Sequence, residues 1–300
     1  MIWKNPVLVK EIRTRMRGNR AFVVISAHLL TLGLIILVAY ALYISSMSGY
    51  NRMEERRNLG KVLFGLLVSL ELVVISFTAP ALTAGTISSE REHQTFDLLQ
   101  VTLLKPRSLV LGKYISSLVF IFLLLFTAIP LQSPAFLVGG VRVQELILGV
   151  VILVTCAVTF CAVGIFFSSV FKRTLISTVS SYAFAIFTVF GAPLLGLFFV
   201  AFAANSLSDL FGGLPLSVKG AALVVGWLLI SLTPTTTIIA TESFLLSQNN
   251  AWLLRVDLPL SNPSMQMFLP SPWILFVAFY GLFSIVLLIA SILMVRRVES

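Results

Sequence analysis

Six runs of apolar residues, each long enough to cross the hydrocarbon core of a bilayer, determine what this chain can fold into. They span residues 21–44, 62–87, 109–131, 143–170, 174–203 and 272–295. Hydrophobic residues occupy 58% of the 300 positions and charged residues only 11%, which gives a mean hydropathy of +1.02. A soluble domain carries about 25% charged residues, because much of its surface meets water. We therefore expect an all-α, polytopic integral membrane protein that forms a single transmembrane domain over residues 1–300.

A seventh apolar segment, residues 219–246, is interrupted by Thr233 and Pro234 and contains Glu242. Its first half is too short to cross a bilayer alone. We expect the region 205–271 to lie at the outer face, with its apolar part entering the membrane and returning. Irregular backbone is tolerated at that depth only inside protein or beside a water-filled cavity. The segment should therefore lie near a transport path or a subunit interface.

The distribution of basic residues indicates which side of the membrane is cytoplasmic. With six spans both termini lie on one side, and that side holds fourteen of the 21 Lys and Arg residues. An excess of Lys and Arg marks the cytoplasmic loops, so both termini are predicted to be cytoplasmic. A seventh span would move Arg296 and Arg297 to the outside. The loop 45–61 fits the six-span topology least well, because it carries four bases on the predicted outer side.

The first 20 residues predict a helix that lies along the inner surface of the membrane. Asn5 and Pro6 are typical of a helix start. Leu8, Ile12 and Met16 recur at four-residue spacing, while basic residues occupy another face, as in interfacial amphipathic helices. The alternative is a plain basic flank of the first span. The predicted interfacial residues are Trp3, Lys10, Arg13 and Arg17.

A charged segment, residues 88–107, separates the second and third apolar runs. Ser89 is followed three residues later by Glu92, which predicts a capping box at a helix start. Apolar residues then recur at helical spacing until Pro106 ends the pattern. We expect a helix of about three turns parallel to the inner membrane surface. Its mixture of both charges with apolar residues suits a protein partner, and the alternative is an ordinary juxtamembrane loop.

The stretch from Thr86 to Leu99 (TISSEREHQTFDLL), followed by Pro106 and the Leu-Gly-Lys of residues 111–113, resembles the signature of ABC-2 type permeases. Residues 5–11 (NPVLVKE) are similar to that family's amphipathic N-terminal helix. These permeases are membrane subunits of ATP-binding-cassette exporters, and the architecture is type V-like. The resemblance implies that cytosolic ATPase subunits dock on a coupling helix over residues 88–107. The implied docking residues are Ser89, Glu90, Arg91, Glu92, Phe96, Asp97 and Leu98.

The same resemblance implies a permease of the cell membrane that forms a translocation pathway with a second copy or a related permease. ATP and Mg²⁺ would be bound by the partner ATPase, so the chain itself is expected to need no cofactor and to be no enzyme. The sequence has no phosphate-binding loop and none of the common hydrolase motifs. Its spans carry few charges, which favours a hydrophobic or amphipathic substrate. Its bases lie beside apolar runs, where they contact membrane lipid and form no nucleic-acid patch.

Ionisable residues inside membrane spans are costly, and a functional role explains many of them. Glu71 lies within the second run and must face the bundle interior. It either contacts substrate or forms a structural pair with His28 of the first run. Glu242 is expected to reach water, and no metal site is expected because the chain has only two histidines, far apart. A secondary transporter or channel, or a transporter-like scaffold subunit, is the alternative function; a secondary transporter would show interrupted helices in both halves.

Overall fold

The computed structural model describes residues 6–17, 19–46, 52–94, 106–138, 140–196, 198, 216–248, 252–258 and 265–297. The described chain is almost entirely helical, with one antiparallel pair of strands. The first helices are α1 (Pro6–Met16), α2 (Asn19–Ser46), α3 (Arg52–Thr83), α4 (Ser88–Glu92) and α5 (Pro106–Val138). The remaining elements are α6 (Val143–Val170), α7 (Thr174–Ile186), α8 (Leu216–Ser231), α9 (Pro234–Gln248), β1 (Leu253–Leu258), β2 (Met265–Pro270) and α10 (Pro272–Arg297).

Six helical segments among the described residues are long and apolar enough to cross a membrane, one at each of the six predicted positions. The all-α polytopic fold is therefore confirmed. The fifth segment continues from α7 through a π turn at Phe187–Gly191, and its predicted end at residue 203 lies outside the described residues. The segments are Ala21–Leu42, Gly60–Glu92, Pro106–Ser133, Val143–Val170, Thr174–Gly196 and Pro272–Arg296.

Helix α6 lies at the centre of the bundle, where it packs against α3, α7 and α10. Its buried residues are small or apolar along most of its length, and small residues allow membrane helices to approach closely. Helices α6 and α3 are in close contact at Gly164, because a Cβ atom added there would lie 1.9 Å from Oγ1 of Thr83. The two free cysteines, Cys156 and Cys161, are also buried in this helix.

The interrupted segment forms two helices, α8 and α9, which are bent by 112° at the break between Ser231 and Pro234. Backbone groups at the break lack helical hydrogen bonds. The hydroxyl of Tyr280 in α10 donates to one of them, the carbonyl of Leu232, at 2.7 Å. The predicted interruption is thus present, while the return of the segment to the outer face stays a prediction.

A β-hairpin that the sequence analysis did not predict follows the bent pair. Strands β1 and β2 pair antiparallel with Leu253 opposite Pro270. The indole Nε1 of Trp227 in α8 donates to the carbonyl of Pro270 at 3.0 Å, which attaches the hairpin to the bent pair.

Candidate functional site

The turn after α3 and the short helix α4, residues 84–94, form a compact unit that we call the elbow. The structure differs here from the predicted helix of about three turns. Helix α4 has only five residues, and His93 is its C-cap. Gln94 follows with a φ of 57°, the left-handed conformation that commonly terminates helices. Phe96, Asp97 and Leu98, three of the predicted docking residues, lie outside the described residues, as does Trp3 of the predicted interfacial set.

The predicted capping box between Ser89 and Glu92 is wrong. Helix α4 has no side-chain cap of its own, and Oγ of Ser168 in α6 instead accepts hydrogen bonds from the amide of Ser88, at 3.0 Å, and from the preceding amide, at 2.8 Å. The carboxylate of Glu92 accepts from the amide of Thr174, at 3.0 Å, and from its hydroxyl. The start of α4 is therefore held by α6, and its end is held by α7, because the carboxylate of Glu92 is bonded to Thr174.

Four ionisable residues beneath the elbow form what we call the inner ion cluster: Glu11, Arg15, Glu90 and Lys113. Lys113 is only 3% exposed, and its Nζ lies 2.7 Å from Oε1 of Glu90 and 3.4 Å from Oε1 of Glu11. The same Nζ donates to the carbonyl of Thr86 at 3.0 Å. A buried lysine requires such partners, because an ammonium group without them is strongly destabilising.

The inner ion cluster also fixes the N-terminal helix to the bundle. Arg15 pairs with Glu11 across one turn of α1, at 3.6 Å, and donates to the carbonyl of Leu82 at 3.0 Å. The opposite face of α1 exposes Lys10, Arg13 and Arg17, the described part of the predicted interfacial set. Helix α1 therefore has a basic exposed face and a second face that bonds to the end of α3 and to α5.

The predicted docking residues divide between an internal and an external role. Glu90 points into the inner ion cluster, and Arg91 donates from Nη1 to the carbonyl of Ser169 at 2.7 Å. Ser89 is partly exposed, and Glu92 is exposed together with the following two residues, His93 and Gln94. The described outer surface of the elbow is thus centred on residues 92–94.

The predicted partner of Glu71 is replaced by another residue. Glu71 is buried, and Nε2 of Gln132 donates to its Oε1 at 2.6 Å. His28 lines the same small cavity as Glu71 without a hydrogen bond between them among the described residues. Gln132 was missed because the third apolar run ends at residue 131, although α5 continues to Val138.

A second small cavity contains Glu242, which is partly exposed. Glu145 and Thr241, two buried residues that the sequence analysis did not select, line the same cavity. Glu242 was expected to reach water, and in the structure it lies beside a second carboxyl group on a neighbouring helix.

The chain was compared with models of known families. The family model described as "ABC-2 family transporter protein" matches residues 41–224, from the end of α2 into α8, and so includes the elbow. The chain belongs to the ABC-2 transporter family. It is a multi-pass membrane permease of an ABC transporter, and thus a transport subunit that is not itself catalytic. No curated protein matches the chain significantly.

Proposed function

We propose that this ABC-2 permease works in an ATP-driven exporter that moves a hydrophobic or amphipathic substrate out of the cell. A cytosolic ATP-binding-cassette subunit docks on the elbow and binds ATP and Mg²⁺. Two copies of the permease, or one copy and a related permease, enclose the pathway. The observation that carries this proposal is the elbow itself, which bonds to three spans and leaves residues 92–94 exposed.

The bonds of the elbow suit it to transmit force from a docked partner. Ser168 and Ser169 connect it to the end of α6, and Thr174 connects it to the start of α7. Lys113 connects it to α5. A displacement of α4 would therefore move three spans together, and ATP-driven closure of the ATPase would bias the bundle between two arrangements.

The elbow and both termini are proposed to face the cytoplasm, in the cell membrane. The excess of Lys and Arg on that side supports this orientation. The exposed basic face of α1 supports it as well, because Lys10, Arg13 and Arg17 can contact anionic headgroups of the inner leaflet.

Reversing the charge of Glu92 should release the ATPase. The change also removes the bonds between Glu92 and Thr174, but the bonds to α5 and α6 still hold the elbow, so the permease should stay folded. Glu92→Lys replaces an exposed carboxylate at the centre of the docking surface, and we expect the affinity for the ATPase to fall at least about tenfold. The measurement is the amount of ATP-binding-cassette subunit that co-purifies with tagged permease. Arg17→Glu, an exposed charge reversal on α1, is the matched control and should retain the ATPase. Co-purification that is unchanged in Glu92→Lys, or an ATPase that is absent from the wild-type complex, would contradict docking at the elbow.

Cysteines placed at the two ends of the bundle should report the proposed orientation. Gln144, at the start of α6, and Gln94, at the end of the elbow, are both exposed. In intact cells an impermeant thiol reagent should label Gln144→Cys, whereas Gln94→Cys should be labelled only after the membrane is permeabilised. The native cysteines are buried and should add little background. The opposite pattern of labelling would reverse the topology.

A further inference from the structure

A cavity lies where α9, the second arm of the bent pair, packs against α3 and α6. Its walls are mostly apolar and include Phe64 and Val68 of α3, Leu148 of α6 and Leu245 of α9. The polar lining comes from Glu145, Thr241 and Glu242. Apolar walls with a few polar groups that converge on one point are the lining that orients the polar group of a bound molecule.

Both carboxyl groups of this cavity lack a salt bridge to any described residue. Glu145 is 4% exposed; its Oε2 accepts from the amide of Arg142 at 3.3 Å, and its buried Oε1 has no hydrogen-bond partner in the described part of the chain. Oε2 of Glu242 lies over Gly65, 4.0 Å from the position that a Cβ would take there. Lys61 is near enough to interact with Glu242 electrostatically but forms no ion pair among the described residues.

Thr241 provides an observation that is independent of the carboxyl groups. It is 4% exposed, and its Oγ1 has no hydrogen-bond partner among the described residues. Threonine in a helix can donate to the carbonyl four residues earlier, as Thr155 and Thr159 do in α6 at 2.8 Å. Thr241 makes no such bond, so its oxygen is available to a group inside the cavity.

The chemistry of these three groups defines what the cavity can bind. Carboxylates in a membrane protein that form no ion pair are costly, and apolar walls cannot solvate them. A primary ammonium group is about the size of a water molecule and carries three N–H donors, which match the oxygens of Glu145, Thr241 and Glu242. Divalent metal ions of the Ca²⁺ type require about six or more oxygen ligands, which this lining does not supply.

The cavity lies at the end of the bundle opposite the elbow. Glu145 and Ser168 occupy the two ends of α6, about 35 Å apart at the helical rise of about 1.5 Å per residue. In the proposed orientation the cavity therefore belongs to the outer half of the permease, on the exit side of an exporter.

We propose that this cavity binds the primary ammonium head of an amphipathic substrate, whose apolar chain extends along Phe64, Val68 and Leu245. The role of the cavity in transport rests on the proposed function. Binding of the ammonium head does not, because it requires only the folded permease.

Calorimetric titration of the purified permease in nanodiscs of zwitterionic lipid tests the proposal. The probe is hexylammonium at neutral pH, the neutral comparison is 1-hexanol, and the heat of empty nanodiscs is subtracted. We expect saturable binding of hexylammonium that is at least about tenfold tighter than that of 1-hexanol, because only the charged head satisfies the two carboxylates.

Variants of the lining assign this binding to the cavity. Glu145→Gln and Glu242→Gln should each weaken hexylammonium binding about tenfold, and Thr241→Val should weaken it about threefold. Glutamine at position 145 retains an acceptor for the amide of Arg142, so the start of α6 should stay intact. Glu92→Gln removes a carboxyl group from the opposite end of the bundle and should leave the affinity for hexylammonium unchanged.

Several results would overturn the ammonium site. One is equal binding of hexylammonium and 1-hexanol to the wild-type permease, a comparison that needs no variant to fold. Others are wild-type affinity in both glutamine variants, and displacement of hexylammonium by equimolar Na⁺ or Ca²⁺, which would identify an inorganic-cation site. Because the titration contains no ATPase, its failure leaves docking at the elbow standing, and a failure of the ATPase to co-purify leaves the titration valid.

Discussion

Replacing Lys113 with methionine should lower the unfolding free energy of the permease by about 2–4 kcal/mol. Methionine retains the length and apolar stem of the side chain but removes the ammonium that pairs with Glu90 and Glu11. Breaking a buried ion pair by removing one partner costs about 3–5 kcal/mol, because the other charge stays buried. Both glutamate side chains are 25% exposed, so water offsets part of that cost and the lower estimate applies.

A double variant separates the charge effect from a packing effect. Lys113→Met combined with Glu90→Gln removes both members of the shorter ion pair, and we expect it to recover about half of the lost stability. Unfolding in mixed micelles with increasing denaturing detergent measures each free energy. A Lys113→Met variant within about 0.5 kcal/mol of the wild type would contradict a structural role for the inner ion cluster.

Replacing Gly164 with alanine should destabilise the permease by about 3 kcal/mol or more, since overpacking of this kind forces the backbone to move. The new Cβ would lie 1.9 Å from Oγ1 of Thr83 and 2.8 Å from its Cβ. The hydroxyl of Thr83 is held by a 2.6 Å hydrogen bond to the carbonyl of Ala79. Rotation of the Thr83 side chain could relieve the contact with Oγ1, but it would leave the contact with Cβ in place. Helices α3 and α6 would therefore separate at the residue that immediately precedes the elbow.

Two further variants isolate this steric effect. Gly281→Ala adds the same methyl group to α10, where nothing lies within 4 Å, and should leave stability unchanged within about 0.5 kcal/mol. Thr83→Ala in the Gly164→Ala background removes the nearest atom and should restore part of the lost stability. The same unfolding titration applies, and equal stabilities of Gly164→Ala and Gly281→Ala would show that the helices have room to adjust.

The membrane fold could be predicted from the sequence because a bilayer sets the length of every span. Apolar runs therefore marked all six segments, and Thr233 and Pro234 marked the break between α8 and α9. Local patterns also located α1 and the elbow. They failed for the cap of α4, because Ser168, which binds its first amides, lies about 80 residues away in the chain.

The sequence patterns also failed to indicate some polar residues inside the bundle, for a related physical reason. Hydropathy ends an apolar run at the first polar residue, whereas a helix continues wherever its backbone bonds are satisfied. Gln132, one residue past the third apolar run, therefore received no role, although it occupies a buried position in a membrane helix. Glu145 lies inside the fourth run, and only the packing of α9 against α6 shows that it lines a cavity. The family resemblance placed Glu90 on a docking surface, and only the position of Lys113 shows that it points inward.

The hydroxyl of Tyr280 has a mechanical consequence. Lipid offers no hydrogen-bond donor, so the bond from Tyr280 to the carbonyl of Leu232 holds the hinge of the bent pair to the last span. If α10 tilted, the break between α8 and α9 would move with it. Opening at the outer surface would then depend on the last helix, even though the proposed nucleotide-dependent push would arrive at the other end of the molecule.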